Sequence, residues 1–304
     1  MSAVAVARMH ASRPATPTLA YAGLAVATFG WATGFIAGKL ALGAMSPLPV
    51  AAWRYALAAT ILLPFALARR PVRGLGPAAA PLALMVACGG VLYPWLFLAA
   101  LSRTTAANTA LLIALNPVVT LLLSPLVGER LERRRLAGVA LALAGAVVVV
   151  TGGDVGQIAA LRLNAGDLLA LAAACMWAVF NLASRGVVAR LAPAFANCVI
   201  YAVGGAALYA LGQAEGPWAQ LVAAPASALG GIAAMAVLSS VIAGQLFLVG
   251  VRTVGVSRTV VFIYLVPVLT AALSTTVLGE PFGPAQAIGG AAVLAGVYWT
   301  TRAG

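Results

Sequence analysis

Four side-chain amides interrupt long apolar runs: Asn108 and Asn116 in one run, Asn181 in a second and Gln245 in a third. An amide offers both donors and acceptors, a set suited to the amino and carboxyl groups of a small metabolite. Pro117 follows Asn116 directly, and Pro267 sits in the middle of another run. Each proline removes a backbone donor and frees a carbonyl one turn earlier, at Ile113 and Ile263, so each marks a hinge or kink. A freed carbonyl beside a cavity binds an ammonium group or a water. Trp31, Phe35, Tyr93, Trp95, Trp177 and Tyr264 also lie inside apolar runs, where aromatic rings can wall a pocket for a bulky substrate side chain. Trp31, Tyr93, Trp177 and Tyr264 join the four amides as candidate substrate-binding residues. Each feature has a plainer reading too, since kinks and interhelical amide bonds are common packing devices in membrane bundles.

The elements that must carry these residues follow from composition. The chain has 304 residues, 63% hydrophobic and 8% charged, with mean hydropathy +1.05. A soluble domain is about 25% charged, so so few polar residues could not cover a soluble core. The chain reads as an all-α integral membrane protein, because in lipid the backbone must satisfy its own hydrogen bonds. Ten spans are expected, near 19–39, 47–68, 78–100, 106–127, 136–152, 166–186, 193–213, 227–249, 256–278 and 284–301, of lengths that suit a core of about 30 Å. Residues 1–18 read as a polar cytoplasmic tail without the apolar core of a signal peptide.

Cytoplasmic loops are enriched in Lys and Arg. With both termini inside, fourteen of the basic residues fall on the inner side and four (Lys39, Arg54, Arg103, Arg162) on the outer side. This bias accounts for most of the net charge of +12 and calls for no nucleic acid.

The sequence also repeats. Trp31 and Trp177, like Lys39 and Arg185, are 146 positions apart. Pro117 and Pro267 are 150 apart, as are Leu96-Phe97-Leu98 and Leu246-Phe247-Leu248. Gly128-Glu129 and Gly279-Glu280 are 151 apart, as are Gly138 and Gly289. The reading is two five-span halves, 19–152 and 166–302, joined by a link at 153–165. Five is odd, so the second half enters the membrane upside down. That inversion explains why PLVGERLERRRL is rich in arginine while TVLGEPFGPAQA has none. Inverted repeats characterise secondary transporters, with a substrate site near the midplane between the halves.

Phe29-Gly30-Trp31 with its echo at Trp177, Trp53-Arg54-Tyr55, Asn116-Pro117 and Pro267, each proline run followed by Gly-Glu, resemble the drug/metabolite transporter superfamily, EamA type. Within it the chain is most similar to bacterial inner-membrane exporters of amino acids and related metabolites. The resemblance implies a central cavity lined by spans one to four and six to nine, with spans five and ten behind. It lacks the lysine-rich pattern of sugar-phosphate exchangers, since Lys39 is the only lysine. Drugs, nucleosides or a channel-like pathway are the alternatives.

All six acidic residues fall at or near span ends, and proton-coupled carriers use titratable groups at membrane depth. Facilitated transport or exchange is therefore expected. Lys39 and Arg54 either hold a substrate carboxylate at the outer mouth or snorkel to headgroups. Trp53, Tyr55, Trp218 and Trp299 fit an interfacial aromatic belt. Gly34-x-x-x-Gly38 permits close helix approach. Spans five and ten, nearly free of polar groups, suit packing on other spans or on a second protomer. Cys88, Cys175 and Cys198 read as small buried hydrophobes. No ATP-binding loop, metal motif or other enzyme signature is present, and the single histidine, His10, lies in the tail. The expected partners are thus a small-molecule substrate and the bilayer, without cofactor or metal.

Overall fold

The computed structural model describes residues 16–68, 75–104, 106–128, 132–151, 153–154, 156, 165–278 and 283–302. Most of the tail and of the 153–165 link lie outside the described residues, as do Glu129, Gly279, Glu280 and the side chain of Asn108. Within them the chain is helical between short turns, with no strand.

In chain order the helices are α1 (Pro17–Leu42), α2 (Pro47–Ala68), α3 (Gly76–Arg103), α4 (Ala106–Ile113), α5 (Asn116–Leu123), α6 (Arg133–Thr151), α7 (Ala165–Val188), α8 (Pro193–Leu211), α9 (Pro217–Ala223), α10 (Ala226–Val254), α11 (Val256–Val260), α12 (Leu265–Leu278) and α13 (Pro284–Arg302). Six of them, α1, α2, α3, α7, α8 and α10, are long and apolar enough to cross a membrane, and shorter apolar helices accompany them. Prolines open several of these helices because the first-turn N–H has no intrahelical partner to lose. At α1 the Thr16 hydroxyl also accepts from the Leu19 amide at 3.4 Å.

Two helices are locally widened. Residues Val86–Leu92 of α3 and Met235–Ile242 of α10 form π-helical turns. In α3 the Tyr93 amide donates back to Cys88 O. The next residue, Pro94, has no N–H to give to Gly89 O, and that carbonyl is left for a side chain. Two other runs are broken rather than widened. The chain turns at 114–115 between α4 and α5, just before Asn116-Pro117. It tightens to a 3₁₀ turn at Val261–Tyr264 between α11 and α12, just before Pro267. Gly255, with φ 88°, separates α10 from α11, a conformation that glycine adopts without strain.

The helices pack in exchanged pairs. α1 lies against α10 and α12, while α7 lies against α3 and α5. α2 packs along α8, and α6 along α13. The α6–α13 contact runs through glycines: a Cβ on Gly145 would sit 2.6 Å from Gly289 O, and one on Gly296 would strike Gly138 O at 2.5 Å. The last helix before the 153–165 link thus packs on the last helix of the described residues. Gly34 also packs closely, with Ser239 Oγ 2.5 Å from where its Cβ would be. Large apolar side chains such as Phe65, Leu126, Trp218 and Ile288 point outward, as a lipid-facing surface requires. Cys88 and Cys198 are buried, but Cys175 is exposed, on the outer side of its helix.

Candidate functional site

The aromatic residues of the exchanged pairs meet at the centre. Trp31 of α1 and Trp177 of α7 contact edge to face, centroids 6.0 Å apart at 89°. Trp177 lies 4.5 Å from Tyr93 and stacks on Phe180 at 4.5 Å and 16°. Phe247 closes the group 5.4 Å from Trp31. Trp31 is held in place by its indole N–H, which donates to Ser239 O in the widened turn of α10 at 3.2 Å. The Ser239 hydroxyl in turn donates to Gly30 O at 2.6 Å.

This cluster separates two small cavities. Trp31, Phe35, Tyr93 and Trp177 line both. One cavity, about 50 Å³, continues past Arg54, Tyr55, Tyr201 and Ser239. The other, about 40 Å³, continues past Ile113, Asn116, Ile263 and Pro267. Each has room for a few waters. Ile113 and Ile263, each four residues before one of the two prolines, line the same cavity, but the Leu265 amide reaches Ile263 O, so the carbonyl expected to be free there has a backbone partner. Among the described residues neither wall contains an acidic residue or a histidine.

Asn116 anchors the second cavity. It is fully buried, and its Oδ1 accepts from Asn181 Nδ2 at 2.9 Å and from the Thr120 hydroxyl at 3.2 Å. Asn181 Nδ2 also donates to Thr120 Oγ1 at 3.0 Å. Asn116 Nδ2 is buried without a partner among the described residues, so a donor stands unused beside the cavity. Asn181 supports Asn116 from behind the wall. Pro117 is buried in the first turn of α5, next to Asn116.

The remaining candidates sit elsewhere. Tyr264 is fully buried off both walls, and its hydroxyl has no partner among the described residues. Gln245 donates to Pro193 O at 3.4 Å, linking α10 to the start of α8 away from both walls. Asn108 belongs to α4.

Two residues expected near the membrane interface, Tyr55 and Arg54, are buried inside the bundle and line the first cavity. Tyr55 is buried, and its hydroxyl donates to Gly89 O, the carbonyl that Pro94 leaves open, at 3.0 Å. Arg54 is only 7% exposed, and its Nε donates to Ser240 Oγ at 2.8 Å. Lys39 parts from Arg54: it is exposed and donates to Leu101 O at 2.8 Å. Tyr201 was not singled out in the sequence at all. It is separated from Tyr55 by the same 146 positions that separate Trp31 from Trp177, so that spacing was a signal for it.

The profile of the EamA-like transporter family matches residues 18–151 and again 164–302. The chain is 28% identical to the uncharacterized transporter YyaM of Bacillus subtilis, over 86% of this chain and 87% of that one. It is 27% identical to a probable terminal-alkyne amino-acid exporter of Streptantibioticus cattleyicolor, over 90% of each. A probable amino-acid metabolite efflux pump of Salmonella typhimurium is 32% identical over 52% of this chain and 50% of its own. One crystal structure superposes with a TM-score of 0.74 at 24% identity, covering 94% of this chain and 98% of its own, and shares the fold. With nearly its whole length matched by the family profile in two successive stretches, this chain belongs to the EamA-like transporter family, whose members are membrane transporters.

Proposed function

We propose that this protein is a secondary transporter of the bacterial inner membrane that exports amino acids or closely related small metabolites by alternating access. In this reading residues 19–152 and 166–302 are inverted five-helix repeats, joined at 153–165, with both termini cytoplasmic. The double match of the family profile supports the repeat, and so do the exchanged pairs α1–α10 with α7–α3 and α1–α12 with α7–α5. The observation that carries the reading is the pair of cavities sharing one aromatic wall of Trp31, Phe35, Tyr93 and Trp177.

A drug-sized ligand pocket measures about 300–1,000 Å³, and two cavities of about 50 and 40 Å³ are far smaller. Substrate must part the walls to enter. Opening one cavity while the aromatic cluster seals the other gives the two access states. The breaks before Asn116-Pro117 and Pro267 are where α4–α5 and α11–α12 bend. Exporter names among the relatives, including one for amino-acid metabolites, support the choice of cargo.

Counterflow tests the reading. Purified protein is placed in liposomes loaded with unlabelled amino acid, and labelled threonine, methionine, phenylalanine or tryptophan is added outside. Saturable accumulation of a label is expected. Linear, non-saturating entry would mean a channel. No exchange with any amino acid, in vesicles containing oriented protein, would end the amino-acid reading and turn the search to drugs and nucleosides.

A further inference from the structure

A buried guanidinium without a counter-ion is costly. Arg54 is 93% buried by residue, as its 7% exposure shows, and no described carboxylate pairs with it. Its Nε is used by Ser240 Oγ at 2.8 Å, and its Cζ lies 5.2 Å from the Tyr55 ring centroid. These two contacts fix the plane of the group. Its terminal nitrogens take no partner among the described residues and keep access to the cavity that Arg54 lines. A fixed guanidinium with its two-pronged end free matches a carboxylate in geometry and charge.

The surrounding frame is nearly symmetric, and Arg54 is where it departs from symmetry. The position 146 after Arg54 is Ile200, and the position 150 before Ser240 is Gly90. Ile200 and Gly90 are also neighbours: a Cβ on Gly90 would lie 3.0 Å from Ile200 O. The same spatial pair is therefore apolar in one half and an arginine–serine couple in the other. Packing is served by the apolar version alone, so the polar version has another use.

We propose that Arg54 is the receptor for a carboxylate on the transported molecule, with the apolar body of that molecule against Trp31, Tyr93 and Trp177. The proposal rests on the carrier reading for its physiological meaning, but not for its test. It assigns the cargo to anions and zwitterions with a free carboxylate. Cationic drugs and neutral nucleosides face an unpaired positive charge there.

The test compares each free acid with its amide, which keeps shape and removes the charge. Full-length protein in nanodiscs is titrated calorimetrically with L-threonine, L-methionine and L-phenylalanine, and with their three carboxamides. At least one acid is expected to bind about tenfold more tightly than its amide, the loss typical of a charged hydrogen-bond partner. Arg54→Gln should erase the difference, and Arg54→Lys should keep part of it. The acid–amide comparison in the unaltered protein needs no variant, so misfolding of R54Q cannot shield the proposal. Equal binding of acid and amide, binding of neither, or a preference that survives in R54Q in a monodisperse sample would overturn it. Counterflow on the same preparation separates the two ideas. Exchange without acid preference sinks the Arg54 receptor and leaves the carrier. Acid preference without exchange does the reverse.

Discussion

Tyr55 and Tyr201, 146 positions apart in the chain, lie ring to ring with centroids 4.6 Å apart. Each hydroxyl reaches a widened helical turn, Tyr55 to Gly89 O at 3.0 Å and Tyr201 to Ser240 O at 2.9 Å. Widened turns leave carbonyls without their usual donors and often occur at functional sites. The two tyrosines tie α2 and α8 to the π-helical turns of α3 and α10, and Gly89, Met235 and Ser239 of these turns line the first cavity. The contacts are matched, but their weights are not. Gly89 O has lost its backbone donor to Pro94, whereas Ser240 O also accepts from the Ala243 amide. Tyr55→Phe leaves a buried carbonyl bare and should cost about 1–3 kcal/mol, while Tyr201→Phe should cost about 1 kcal/mol. Thermal unfolding of the two variants in one detergent should therefore rank Y55F below Y201F. The reverse order would mean the Pro94 argument is wrong.

Trp177 touches Trp31, Tyr93, Phe180 and Phe247 and lines both cavities. Trp177→Ala should join the two spaces and remove the main ring available to a substrate side chain. The half-saturation concentration for phenylalanine in counterflow should rise about tenfold, the equivalent of one good aromatic contact. Threonine, with little surface to offer a ring, should change much less. Equal effects on both would assign Trp177 to packing alone.

The apolar helices were legible because their prolines, glycines and hydrophobic lengths are local signals. The expected 47–68 and 193–213 spans correspond to α2 at Pro47–Ala68 and α8 at Pro193–Leu211. The central meeting of Trp31 and Trp177 was foreshadowed by their shared offset. Arg54 was harder to place. Seven residues into its helix, it looks like an interfacial cation by chain position. Its burial depends on Ser240, 186 residues away, and on the close packing of α2 along α8. Asn116 and Asn181 could be named from their type, but which of them faces the cavity is set by how α5 meets α7. The π-helical turns left no advance signal: one contains Gly89-Gly90 and the other Ser239-Ser240.

That division of labour between the asparagines can be measured. Asn181→Ala removes both donations to Asn116 and Thr120 without changing a wall residue. It should lower thermal stability by about 1–3 kcal/mol, as an unsatisfied buried amide does, with half-saturation near the unaltered value. Asn116→Ala should change both. Because the two amides share one network, the N116A/N181A double variant should cost less than the two singles together. Strict additivity in thermal unfolding would argue against a shared network.

Among the described residues the walls of both cavities hold no carboxylate and no histidine. Asp167 is buried, but it sits in the first turn of α7 and accepts from the Thr104 hydroxyl at 2.8 Å, as its span-end position in the sequence leads one to expect. With no carboxylate or histidine among the described residues of either wall, exchange by the proposed carrier should respond to the substrate gradient and not to protons. Counterflow rates should stay flat when a pH gradient of one unit is imposed in either direction across the liposome. Accumulation that follows the gradient would show a proton pathway and overturn the exchange reading.

Gly30 lies where α1 crosses the π-helical turn of α10, one residue before Trp31. A Cβ there would sit 2.6 Å from Leu238 O. That neighbour is backbone, so it can yield only if the turn itself shifts. The shift would pull on Ser239, which holds both Gly30 O and the Trp31 indole. Gly30→Ala should therefore destabilise by about 1–3 kcal/mol, as overpacking does, and also slow exchange by displacing Trp31. Gly230 is the control, an exposed glycine of α10 with nothing within 4 Å of its absent Cβ. Gly230→Ala should be neutral or stabilise by a few tenths to about 1 kcal/mol through helix propensity. Thermal unfolding and counterflow on the two variants read both effects. A Gly30→Ala protein as stable and as active as Gly230→Ala would mean that α1 does not depend on this close crossing to seat its tryptophan.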